Sequence, residues 1–175
     1  MQDNKRDTTA TETTDTDTGS LASHADSYPS LWARRMGFGG LIPFVLLALA
    51  VWLADPAYRA FAGLALLGYG AVIASFLGAI HWGLVMRHSS LNSLDSPAPL
   101  AVLAWGVSPS LVAWVALLLG AVPGLLVVAG LLWACYAVDR VLYPRCQVQG
   151  WLPMRRTLTV VASASCLLGG LGLMR

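Results

Sequence analysis

The chain has 175 residues, 57% of them hydrophobic and 11% charged, with a net charge of +2 and a mean hydropathy of +0.65. That is too apolar for a soluble domain of ordinary composition, and it reads as a membrane protein. The net charge is too small, and the Lys and Arg residues too scattered, to form a nucleic-acid-binding face, so nucleic acid is excluded as a partner.

Residues 1–35 read as a disordered polar tail. The first 30 hold six acidic and two basic side chains among Thr, Ser and Asp, with almost nothing to bury. They are not Arg-rich like a transit peptide, nor do they form a compact basic n-region, so no cleaved leader is expected. Ala48-Leu49-Ala50 imitates a cleavage site, but about 40 residues precede it.

From Met36 onward the charges fall in short clusters separated by uncharged runs of roughly 18 to 27 residues, the length a helix needs to cross a ~30 Å hydrocarbon core. The first span covers about 36–54, with Pro43 in its opening turns, Trp52 near its far end and Asp55-Pro56 as its stop. The second covers about 60–86; at ~1.5 Å per residue it reaches ~40 Å and has to tilt or project from the bilayer. The linker SSLNSLDSPAPL leads to a third span at about 100–119, and Gly120 to Gly124 turns straight into a fourth at about 121–138. A basic loop from Asp139 to Arg156 then precedes a fifth span at about 157–174. The expected fold is all-α, an integral membrane bundle of five transmembrane helices in residues 36–175.

Orientation follows from the arginines near the span ends. With the N-terminus in the cytoplasm, the inner side holds seven (Arg34, Arg35, Arg87, Arg140, Arg145, Arg155, Arg156) and the outer side two (Arg59, Arg175). This is the expected topology, in a bacterial inner membrane.

The second span carries two rows of small residues at four-residue spacing: Gly70, Ala74 and Gly78, and Ala71, Ser75, Ala79 and Gly83. In lipid, where apolar side chains gain nothing by avoiding water, such rows matter because they let backbones approach closely. They are expected to pack helices within the chain or to form a docking face for a second copy or another membrane protein.

His81 shares that face, three residues after Gly78. An imidazole there could carry a proton, contact a substrate or ligate haem. Three features argue for a plainer role. No second histidine falls within a span, since His24 lies in the tail and His88 in the linker; no Asp or Glu lies within a span to continue a relay; and only ~9 Å of helix separates His81 from Arg87, beside Trp82, an interfacial residue type. A helix-linking hydrogen bond, with Asp139 at the end of the fourth span as the partner, is expected instead.

In the third span, Trp105-Gly106-Val107-Ser108-Pro109-Ser110 places a proline inside a helix, where it removes one backbone bond; a kink is expected, packed rather than lining a path. The basic loop, with Tyr143 and Trp151, supplies topology-setting charge and could attract anionic lipid. Cys135, Cys146 and Cys166 show no Cys-x-x-Cys spacing and read as small apolar fillers. No phosphate loop, zinc motif or nucleophile elbow is present, so no catalytic residue, metal or cofactor is assigned and the chain is not expected to be an enzyme.

The stretches GYGAVIASFLGAIHWGL (Gly68 to Leu84) and WGVSPSLVAWVALLL (Trp105 to Leu119), with Asp139 at the end of the next span, resemble a family of small multi-pass membrane proteins built on a domain of unknown function. It includes bacterial inner-membrane proteins and the mitochondrial transmembrane protein 69, and the likeness covers roughly residues 37–173. The resemblance implies location and architecture, not an activity. It also implies a Trp-Tyr pair before an arginine in the last loop; here Leu152 follows Trp151, so no role passes to a tyrosine there. The expected function is a helical scaffold or assembly partner, with the bilayer and a homo-oligomer or other membrane protein as partners. The alternatives are a small oligomeric transporter or channel subunit using His81 and the Pro109 kink and, less well supported, a haem-binding membrane protein.

Overall fold

The computed structural model describes residues 29–87, 98–146 and 148–175. Expectations for residues 1–28, and for most of the linker with His88, lie outside that range. The described residues form six α-helices: α1 (Leu31–Gly39), α2 (Ile42–Leu53), α3 (Pro56–Arg87), α4 (Ala98–Leu118), α5 (Ala121–Arg145) and α6 (Leu152–Leu173), with a 3₁₀ turn at Gln149–Trp151. Taking α1 and α2 as one stretch, Leu31–Leu53, five helical segments are long and apolar enough to cross a membrane.

The first segment starts before Met36, so residues 31–35, which the sequence assigns to the tail, are already helical; Ser30 caps α1 by accepting from the Ala33 N–H at 3.2 Å. The helix breaks at Gly40-Leu41 because Pro43, in the first turn of α2, cannot donate to the carbonyl four residues back. Tyr69 of α3 holds that break by donating its hydroxyl to the Gly40 carbonyl at 2.8 Å.

The α2–α3 turn is short because Pro56 opens α3, where its missing N–H costs little. At the same end Trp52 donates its indole N–H to Leu168 O of α6 at 3.0 Å, and the Arg175 guanidinium stacks over its ring. Between α4 and α5, Gly120 adopts φ 87° and ψ 176°, a region in which only glycine is at ease. Gly120→Ala is therefore expected to destabilise the α4–α5 hairpin by about 1–3 kcal/mol, read as a lowered thermal midpoint in detergent.

The fourth and fifth spans depart most from the sequence reading. α5 continues about two turns beyond Val138 to Arg145, and α6 begins at Leu152 rather than Thr157, so most of the expected basic loop is helix. The hydrophobic run ends at Asp139, but backbone hydrogen bonding is indifferent to side-chain charge. The helix runs through Pro144, which lacks its own N–H, and ends one residue later at Arg145, where Cys146 caps it with an N–H to Leu142 O at 3.1 Å. α4 runs unbroken through Pro109.

α3 packs against α2, α4, α5 and α6. The core lies along it, with Leu66, Leu67, Ala71 and Ala74 meeting Phe44 of α2, Ala113 and Ala116 of α4, Leu125, Val128 and Leu132 of α5, and Ala162 and Cys166 of α6.

Candidate functional site

Of the two small-residue rows on α3, one faces the core. Gly70, Ala71, Ala74 and Gly78 are buried, while Ser75 is half-buried and donates its hydroxyl to Ala71 O at 2.9 Å. Ala79 and Gly83, expected among the packing residues, are exposed instead, and a Cβ on Gly83 would meet nothing within 4 Å. The reason is helical phase: each four-residue step overshoots a full turn by ~40°, so the row that begins at Ala71 rotates out of the interface by Gly83. The buried stripe keeps its heading by mixing three- and four-residue steps, through Leu67, Gly70, Ala74, Leu77, His81 and Val85.

At Gly78 the α3 backbone approaches that of α4 closely. A Cβ there would run into the carbonyl oxygen of Gly106 on α4 and stand 3.3 Å from Pro109 Cγ. A Cβ on Gly106 would strike the Trp82 indole, which donates to Leu103 O at 3.2 Å. Pro109 is thus a buried part of the α3–α4 contact, and Ser108 donates its hydroxyl to Ala104 O of its own helix at 2.9 Å.

One turn beyond Gly78, the α3 stripe meets the only ionisable cluster buried among the described residues. His81, Asp139 and Arg155, from α3, α5 and α6, are 0%, 1% and 6% exposed. Arg155 donates through Nε and Nη2 to Oδ2 of Asp139, at 2.8 and 2.6 Å. His81 Nε2 lies 3.3 Å from Oδ1, within ion-pair reach but off the direction of a hydrogen bond. Its Nδ1 lies 3.2 Å from the Leu77 carbonyl one turn back. A carbonyl only accepts, so that contact uses an Nδ1–H, and Nε2 faces the carboxylate with a lone pair in the neutral ring or an N–H in the charged one. The Tyr143 hydroxyl lies beside the Arg155 guanidinium.

The structure therefore brings His81 and Asp139 together at the place the sequence suggests, but as a close approach of 3.3 Å and not as the hydrogen bond expected between them. It adds Arg155, which the sequence reading counted only as a topology-setting charge. A signal was available: Asp139 is the sole acidic residue after Asp95, and a carboxylate at the end of an apolar span needs a cation within reach. Four arginines follow it within 17 residues, and sequence alone does not say which one turns inward.

Cys135, Cys146 and Cys166 are free and buried. Burial pushes the Cys146 thiol, just past the end of α5, above its ordinary range. No group of three or more His, Cys, Asp or Glu side chains that could hold a metal ion occurs among the described residues.

Residues 30–171 match the model of a family described as "Protein of unknown function (DUF3429)". No curated protein matches the chain, and no solved structure does.

Proposed function

The chain belongs to the DUF3429 family, and from that premise we propose that it is a multi-pass protein of the bacterial cytoplasmic membrane, N-terminus inside, that acts as a non-enzymatic helical scaffold or assembly partner. The observation that carries this reading is the buried cluster of three ionisable side chains that face one another. Asp139 accepts from Arg155 and faces His81, and the three tie α3, α5 and α6 together at one end of the bundle. Side chains so engaged serve architecture, and a scaffold needs a rigid body more than a reactive group.

The same geometry speaks against the two alternatives. Pro109 packs on the α3–α4 contact, whereas His81 turns toward α5, so the two do not line a common path. Both imidazole nitrogens of His81 already face oxygen atoms, which leaves neither turned outward for a haem iron. The arginine distribution supports the orientation, and the Gly68 to Leu84 stretch supports kinship with the mitochondrial transmembrane protein 69 and with bacterial inner-membrane relatives.

Reporter fusions at the two termini test the topology, with the amino end expected inside and the carboxyl end outside. Capture of the full chain from its own membrane in mild detergent is expected to recover a stoichiometric membrane partner or a second copy. Solute or proton flux in proteoliposomes that disappears in His81→Ala would overturn the scaffold reading in favour of transport.

A further inference from the structure

A cavity of about 170 Å³ opens between α1, α2, α3 and α6, floored by α5. Its walls are apolar, with Phe44, Phe76, Leu158 and Ala162 among them, but Arg155 and Thr159 also line it. Thr159 is 2% exposed and its hydroxyl has no hydrogen-bond partner, an unusual state for a buried polar atom. Polar and apolar residues are separated along the groove. Arg155 stands near the start of α6, opposite the Met36 end of α1, where Met154 packs on Gly37, and the apolar part runs from there toward Phe44 and Ala162.

The mouth is basic. Arg34 and Arg35 immediately precede Met36, Arg156 follows Arg155, and all three are exposed. The only acidic side chains among the described residues are Asp139, already paired with Arg155, and Asp55, in the α2–α3 turn at the opposite end of the bundle. An apolar slot with one unpartnered hydroxyl toward one end, and exposed arginines next to its lining residues with no carboxylate partner among the described residues, is complementary to one class of membrane molecule.

We infer that this groove is a binding site for an anionic glycerophospholipid. One acyl chain lies along Phe44, Phe76, Leu158 and Ala162, its ester region meets Thr159 and Arg155, and its phosphate sits among Arg34, Arg35 and Arg156. The inference rests on the membrane reading above, but on neither the orientation nor the scaffold role, so the test is done on purified protein in detergent, where a failure of those two would not affect it.

The test uses phosphatidylglycerol bearing a photoreactive group midway along one acyl chain, added to the full chain with unlabelled phosphatidylglycerol or phosphatidylcholine as competitor. Saturable labelling of the peptides that carry Phe44, Phe76 and Leu158 is expected, displaced by phosphatidylglycerol at least tenfold more readily than by phosphatidylcholine. Arg34→Gln and Arg35→Gln, on exposed side chains that leave the bundle intact, are each expected to weaken that preference about fivefold. Thr159→Val is expected to reduce labelling while the thermal midpoint without lipid is held. Unsaturable labelling spread equally over the lipid-facing side of α4, or equal competition by the two lipids, would overturn the assignment.

Discussion

Arg155→Met is expected to destabilise the purified protein by about 3–5 kcal/mol, because it leaves the Asp139 carboxylate, 1% exposed, without its cation. Asp139→Leu alone should cost a similar amount by stranding the guanidinium. The double variant Asp139→Leu/Arg155→Met should recover much of the loss, since removing both charges removes the desolvation penalty along with the attraction. Thermal midpoints of the four proteins in one detergent form a complete cycle. If the single variants add with no coupling, Arg155 and Asp139 are not a buried pair, and the lock between α5 and α6 fails with it. His81→Gln has a smaller expected effect, about 1–2 kcal/mol, as the ring lies at the edge of the pair rather than in its hydrogen bonds. Should His81→Gln and Asp139→Asn both leave folding and membrane accumulation unaltered, the contact holds nothing together.

Gly78→Ala has the second large expected effect, about 1–3 kcal/mol destabilising, as the added methyl meets the Gly106 backbone and not a side chain that could swing away. Helices α3 and α4 would have to separate, breaking the Trp82 to Leu103 hydrogen bond of 3.2 Å. Gly83→Ala, five residues along the same helix, is the matched control. Its Cβ enters open space and removes a helix-interior glycine, so stability should be unchanged or rise by about 0.5–1 kcal/mol. Measured side by side, equal losses at the two glycines would mean that the close α3–α4 crossing does not exist.

The two substitutions separate what was legible in the chain from what was not. Small residues at four-residue spacing are visible in the sequence, and they mark α3 as the helix that packs against the rest. Which member of the row faces inward depends on a rotation of ~40° per step, and the partner decides where the stripe leaves the interface. Gly78 and Gly83 read alike as small residues of the two rows; helical phase turns Gly83 away from the interface, and the position of Gly106 makes Gly78 the close contact.

Class and segment number were determined by the sequence alone, because the lengths of uncharged runs reflect the thickness of the bilayer, an external constant that every crossing helix must meet. Helix ends were not so determined at α5 and α6, where the hydropathy boundary at Asp139 falls about two turns short of the structural one. Hydropathy registers the charge, but not that Arg155 neutralises it from the next helix. That pairing belongs to the tertiary structure, as does the groove beside it, because both depend on residues brought into contact by the packing of separate helices.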